Sequence, residues 1–162
     1  RAACIEAFEQ SKRLGVTTAF TFSDAFLIDR FAEDFHRVVK DYCDIIFCNA
    51  DEAKQFFQTD DINECTTKMA AICDLAFITD GGDGAHVVEK GNVSKANGFP
   101  VNAIDTNGAG DAFAGGVLYG ITSGMTANNA AKWGNYFASR VVENIGPRID
   151  TSLKEHVSSV IG

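Results

Sequence analysis

The sequence predicts an α/β protein with a largely parallel sheet and helices on both faces. Short runs of β-branched and aromatic residues alternate with segments whose apolar residues recur at helical spacing. Glycine- and aspartate-rich turns separate these segments, as in Asp80-Gly81-Gly82-Asp83-Gly84. In such sheets ligands bind beyond the carboxyl ends of the strands, so the loops at those ends are the first candidates for function.

The first half of the chain alternates helix and strand. Gly15 is a suitable C-terminal cap for the first helix, and Phe31, Phe35 and Val38 recur at helical spacing in the second. In order, the pattern predicts a helix over 3–14, a strand over 16–22, a helix over 29–42, a strand over 45–48 and helices over 51–58 and 62–73.

The second half begins with strands and ends with helices. Trp133, Phe137 and Val141 form a core stripe in its longest helix, which Gly146-Pro147 stops. The predicted elements are strands over 75–79, 85–89 and 93–97, a strand-like run over 101–104, and helices over 112–123, 126–144 and 151–160. A hairpin-like turn is predicted at 90–92.

Composition narrows the classes of function. The chain has 162 residues, 46% of them hydrophobic, which is enough for one domain with a real core. A net charge of −8 argues against nucleic acid as a partner, and no run is long enough to predict a membrane span. Five cysteines without a Cys-x-x-Cys pair indicate reduced thiols in a cytoplasmic protein.

The segment 105–116 carries the most specific signal in the chain. Gly108 and Gly110 permit a tight turn with uncovered amides, and the helix that follows presents its positive end there. Such a turn forms an anion hole, with Asp111 placed at its rim to accept a proton. The alternative is an ordinary strand-to-helix turn with a capping aspartate.

The string Asp105-Thr106-Asn107-Gly108-Ala109-Gly110-Asp111-Ala112-Phe113-Ala114-Gly115-Gly116 resembles the second signature of the ribokinase/PfkB family and matches each of its fixed positions. The resemblance implies a ribokinase-like three-layer α/β/α fold. It also implies transfer of a phosphoryl group from ATP to a hydroxymethyl group of a sugar or nucleoside, the small-molecule acceptor. Asp111 would be the catalytic base, and amides of Gly108, Ala109 and Gly110 would stabilise the moving phosphoryl group. Nearly the whole chain looks most like adenosine kinases and bacterial sugar kinases.

The segment Asn49-Ala50-Asp51-Glu52 resembles the Asn-x-x-Glu element of the same family. That resemblance assigns Asn49 and Glu52 to Mg²⁺ and phosphate, with Glu52 acting largely through water. Mg²⁺ prefers oxygen ligands and retains several waters, which suits one carboxylate and one amide. The alternative is a capping box, in which Asn49 begins a helix and Glu52 is its partner three residues later; both roles are compatible.

Three further assignments follow from the resemblance. Thr79, Gly81, Gly82 and Gly84 would lie against ATP, although Gly-Asp-Gly is also ordinary hairpin chemistry. Asn135 would lie near the adenine, the alternative being a solvated polar residue on a helix. Asp105 would contribute to a monovalent-cation site, with K⁺ as the candidate ion.

The resemblance also predicts what the chain contains. Residues 1–162 are expected to be the C-terminal part of a single ribokinase-like kinase domain, because the sequence begins at Arg1 with a helix already in progress. The N-terminal half and the lid would then be absent. An open sheet edge makes that missing half, or a second copy in a homodimer, the expected protein partner.

Two other functions compete with a kinase. One is a non-catalytic, nucleotide-binding regulatory paralogue of the same fold, against which the intact Asp111 argues. The other is a dinucleotide oxidoreductase, which the absence of a Gly-x-Gly-x-x-Gly after any strand disfavours. The chain also lacks a P-loop pattern, so a kinase activity would use the anion hole.

Overall fold

The structure of the protein is a computed structural model that describes residues 2–162. Its helices are α1 (Ala2–Leu14), α2 (Ala25–Arg30), α3 (Ala32–Asp41), α4 (Ala50–Phe57), α5 (Ile62–Ala70), α6 (Ala109–Thr122), α7 (Ala127–Val141) and α8 (Val157–Ile161). Its strands are β1 (Ala19–Thr21), β2 (Ile45–Asn49), β3 (Leu75–Thr79), β4 (Gly84–Glu89) and β5 (Asn92–Asn97). Within residues 2–162, no helix is long and apolar enough to cross a bilayer.

The strands form one mostly parallel sheet in the order β1-β2-β3-β4-β5. β1 and β2 run parallel, with Ala19 opposite Ile45 and Thr21 opposite Phe47. A parallel pair needs a crossover connection, and α2 and α3 supply it between these two strands. The predicted α/β class with a largely parallel sheet is therefore confirmed.

The chain divides into two compact units. The first reaches to Ile78 and includes Val88–Val93; the second comprises Thr79–Val87 and Ser94–Gly162. The core of the first unit is aliphatic and aromatic, and Phe22, Ile46 and Met69 are fully buried in it. The ring of Phe22 packs against the rings of Phe35 and Phe56, with centroids 5.5 and 5.0 Å away.

The second unit is built around the close packing of α6 against α7. A Cβ atom at Gly116 would lie 2.9 Å from the Cα of Gly134, and one at Gly134 would lie 2.8 Å from the carbonyl oxygen of Phe113. The two backbones therefore touch at glycine, where no side chain fits. Trp133 and Val141 are buried as predicted, and Phe137 is half-buried.

Several predicted boundaries are wrong. The helix predicted over 29–42 is interrupted at Phe31, where φ is −129°, so it comprises the last two residues of α2 and all of α3. Helix α2 was not predicted from the sequence; Asp24 caps it by accepting a hydrogen bond from the amide of Phe26 at 2.7 Å. The strand predicted over 16–22 is only three residues long.

Two elements of the second unit also differ from their predictions. The run 101–104 is not a strand; instead the amide of Ile104 donates to the carbonyl of Val142 at 2.7 Å. The helix predicted over 151–160 is a 3₁₀ turn, Lys154–His156, followed by α8.

Candidate active site

The loop that leads into α6 is held in shape by Asp105. One carboxylate oxygen accepts from the amide of Asn107 at 3.0 Å, and the other accepts from the amide of Gly146 at 2.9 Å. These two backbone hydrogen bonds, that of Asn107 first, lower the pKa of Asp105. The Asp105 carboxylate therefore links this loop to the segment that follows α7.

Gly108 makes the turn itself. Its φ is +77°, in the left-handed region, and a Cβ atom there would collide with the ring of Pro147. Only glycine satisfies both conditions without strain. The Gly-Pro pair at 146–147 was predicted only to stop a helix. In the structure its proline also packs against the turn at Gly108.

The N-terminus of α6 is open. This helix begins at Ala109, and within residues 2–162 no side chain caps it. The amide of Ala109 donates to the carbonyl of Thr106 at 3.2 Å, whereas the amides of Gly110 and Asp111 fall in the first turn, where the helix offers no acceptors. An anion placed here would meet those amides and the positive end of the helix dipole. Asp111 is exposed in the same turn.

A cleft of about 370 Å³ lies within the second unit and includes many of the predicted nucleotide residues. The predicted site residues in its wall are Thr79, Gly81, Gly82, Gly84, Ala109, Gly110 and Asn135. Gly108 and Asp111 are not in the wall, but each adjoins one of these residues in sequence. Phe99 and Pro100 add an apolar surface to the cleft, which the sequence analysis did not identify.

In the glycine-rich loop before β4, one glycine is required by close backbone packing and another has open space beside it. Gly81–Asp83 form a 3₁₀ turn, closed by the amide of Asp80 donating to the carbonyl of Gly84 at 2.8 Å. At Gly84 the left-handed φ of +99° and the nearby backbone of Gly98 leave no room for a side chain. At Gly82 there is open space where a Cβ atom would lie. Gly84 is therefore required for packing, while Gly82 exposes backbone to the cleft.

Asn135 is buried, so the alternative of a solvated helix residue is wrong. Its side-chain nitrogen donates to the carbonyls of Ala96 at 2.9 Å and Asn97 at 3.2 Å. These contacts tie α7 to the end of β5 and fix the side chain in the wall of the cleft. Its role beside an adenine stays a prediction.

Asn49 and Glu52 belong to the first unit and form a capping box. Asn49 accepts from the amide of Glu52 at 2.8 Å, and Glu52 accepts from the amide of Asn49 at 2.9 Å. Glu52 is only 6% exposed, and burial, opposed by its hydrogen bond from Asn49, raises the pKa of its carboxyl group. The capping prediction is confirmed, and the role of both residues in binding Mg²⁺ stays a prediction.

Comparison with solved structures defines the class of the fold. The chain superposes on a probable sugar kinase from Rhizobium etli CFN 42 with a TM-score of 0.90 and 34% identity, covering 95% of this chain and 47% of that one. It superposes on the adenosine kinase from Sinorhizobium meliloti with a TM-score of 0.89 and 33% identity, covering 95% of this chain and 48% of that one. The ribokinase-like fold is also shared with a putative Ribokinase II from E. coli, at a TM-score of 0.84.

The family follows from the sequence comparison. The pfkB family carbohydrate kinases match residues 1–154, and the chain belongs to this family. Adenosine kinase 1 from Arabidopsis thaliana is 32% identical over 134 residues, which cover 74% of this chain and 39% of that protein. The chain thus spans about half the length of the similar structures and two fifths of that relative.

Proposed function

We propose that the protein binds ATP and takes part in phosphoryl transfer to an alcohol group of a sugar, nucleoside or related polyol. The single observation that carries this proposal is the uncapped start of α6 behind the left-handed turn at Gly108, with an exposed carboxylate in the first turn. The relatives named adenosine kinase and inositol 3-kinase support a small polyhydroxylated acceptor.

The residues of the second unit suit a triphosphate. Amides of Gly110 and Asp111 would receive phosphate oxygens and spread the charge that develops during transfer. The Ala109 amide, already donating to Thr106, contributes less than the sequence analysis expected. The exposed Asp111 carboxylate would accept the proton of the acceptor hydroxyl. The Gly81–Asp83 turn and the wall containing Asn135 would receive the nucleoside part of ATP.

The assignments of metal ions rest on the resemblance and on donor chemistry. Glu52 and Asn49 offer oxygen atoms of the kind that Mg²⁺ prefers, and the ion would neutralise charge on the phosphates. Asp105 is an ionised carboxylate and therefore a chemically suitable ligand for K⁺. A cytoplasmic location and association with a further polypeptide, either another half-domain or a second copy, complete the proposal.

The test separates binding from transfer, because the chain spans about half the length of its relatives. Calorimetry with ATP and Mg²⁺ measures binding by residues 1–162, and a panel of nucleosides, sugars and inositols scored by ADP release measures transfer. Failure to bind ATP would overturn the proposal. Binding without transfer to any acceptor would favour the second candidate, a non-catalytic nucleotide-binding paralogue.

The role of Asp111 is tested by Asp111→Asn. We expect turnover to fall by roughly 10²- to 10⁴-fold, the usual contribution of a general base, with ATP affinity nearly unchanged. Asp60→Asn is the matched control, since Asp60 is an exposed aspartate with no assigned role. Equal turnover in the two variants would exclude Asp111 as the base.

A further inference from the structure

Two cysteines of the first unit occupy equivalent places before neighbouring strands. Cys43 and Asp44 precede β2, and Cys73 and Asp74 precede β3. Both thiols are half-buried and pack against the same hydrophobic core. β2 and β3 are adjacent in the sheet. The two cysteines therefore begin neighbouring strands with the same local sequence.

The stacking of two phenylalanines indicates a register in which these cysteines lie at the same level of the sheet. Phe47 and Phe77, each four residues beyond its cysteine, stack with ring centroids 5.4 Å apart and planes inclined by only 15°. Cys43 and Cys73 also line one groove of about 400 Å³, so both strands start at the same end of the sheet. Neighbouring strands lie about 4.8 Å apart. That spacing falls in the range of about 4.4–6.8 Å between Cα atoms that a disulfide spans.

We propose that Cys43 and Cys73 are a modification site, at which a small-molecule disulfide oxidises the pair to a reversible disulfide joining the starts of β2 and β3. The groove admits the oxidant between the two strand starts. Asn49, at the opposite end of β2, is not part of the groove. The modification thus bridges the sheet at the end away from the capping box.

The chemistry proceeds by two thiol–disulfide exchanges. One cysteine loses its proton to solvent and attacks the oxidant, which releases one small thiol and leaves a mixed disulfide on the protein. The second cysteine then loses its proton and attacks the protein sulfur of that mixed disulfide, which releases the second small thiol. Two protein thiols are oxidised, one oxidant disulfide is reduced, and the protein loses two hydrogen atoms.

The environment makes this reaction slow at neutral pH. Burial, followed by Cys4, Asp44 and Cys73, raises the pKa of Cys43 to about 12. Burial, followed by Asp74, raises the pKa of Cys73 to about 11.

Among the described residues that line the groove, Lys40 carries the one positive charge, and Asp44 and Asp74 carry the negative charges. Cys73, with the lower pKa, is the expected first attacker, once its hydrogen bond to the carbonyl of Met69 breaks. Below both pKa values, the rate should rise about tenfold per pH unit.

Cys4 is the nearest competitor, because its effect on the pKa of Cys43 is second only to that of burial. Cys4 is exposed on α1 and lies outside this groove. Cys48 and Cys65 are buried in the core, where an oxidant has no access. Cys4 is consequently the one thiol expected to react as fast as an ordinary exposed cysteine, forming a mixed disulfide instead of an internal bond.

The experiment treats the 162-residue chain with dithiodipyridine at several pH values and follows release of thiopyridone, mass and peptide maps. We expect a fast mixed disulfide at Cys4, then a slow phase that releases two equivalents and links Cys43 to Cys73. Cys4→Ser should abolish the fast phase alone, and Cys43→Ser or Cys73→Ser should abolish the internal link.

Several results would overturn the proposal. A link from Cys43 to Cys4, mixed disulfides that never resolve, or a slow phase without pH dependence would each do so. Peptide maps of the oxidised wild-type chain decide the question even where a variant does not fold. The measurement needs no nucleotide, so its outcome is independent of the proposed kinase function.

Discussion

Replacing Gly108 with alanine tests the turn on which the candidate site depends. In the left-handed region an alanine costs roughly 1–2 kcal/mol more than glycine. The new methyl group also collides with Pro147, and such overpacking costs about 1–3 kcal/mol. Together Gly108→Ala should lower the free energy of unfolding by about 2–5 kcal/mol. This is a large share of the roughly 5–15 kcal/mol by which most domains are stable.

Urea denaturation followed by fluorescence of Trp133, which lies in the same unit, measures this loss. With an m-value of about 2 kcal/mol/M, the midpoint should fall by roughly 1–2.5 M. The matched control is Gly110→Ala, two residues away, where φ is not in the left-handed region. Among the described residues, no atom outside the adjoining backbone of α6 lies within 4 Å of the new methyl group. This control should leave stability unchanged or raise it by up to about 1 kcal/mol. Equal midpoints for both variants would refute the account of the turn.

Three further variants test single contacts. Asn135→Leu leaves the carbonyl of Ala96 without its donor, so unfolding free energy should drop by about 1–3 kcal/mol in urea, and an unchanged midpoint would contradict this. Two backbone hydrogen bonds lower the pKa of Asp105, so the carboxylate stabilises the fold fully above the ordinary pKa of aspartate, and this stabilisation is lost as pH falls through the lower folded value. Melting temperatures of wild type and Asp105→Asn, measured over a pH series, should therefore converge at low pH. Parallel curves would argue against this role of Asp105. Glu52→Gln retains an acceptor for the amide of Asn49 and removes a buried charge, so the melting temperature at pH 7 should not fall. The Mg²⁺ concentration that any activity requires should rise. A lower melting temperature with an unchanged Mg²⁺ profile would leave only the capping role for Glu52.

The sequence predicted most elements because their signals are local. β3 has the predicted bounds, and the capping box at Asn49 could be identified from its spacing alone. The helix over 25–30 was within reach as well, because Asp24 is a standard capping residue directly before an apolar run. The apolar periodicity that continues beyond Asp29 runs across the break at Phe31 and obscures this short helix.

Other features depend on partners far away in sequence and could not be predicted. The run Val101–Ile104 has the composition of a strand, but its last amide pairs with Val142 in a loop some forty residues later. The same holds for Asn135, whose burial depends on carbonyls of β5, and for Pro147, which covers Gly108. Local patterns carry no information about such partners.

The contact between Gly116 and Gly134 fixes how α6 packs against α7, whereas the loops of the second unit can vary in sequence. Because the backbones of α6 and α7 touch directly, no side chain lies between them at this point. No substitution of such a side chain can therefore shift one helix along the other. Substitutions that reshape the cleft without moving these two helices are therefore expected in its loops. Gly82, with open space beside it, is a position at which a new side chain would narrow the cleft and leave the helices undisturbed.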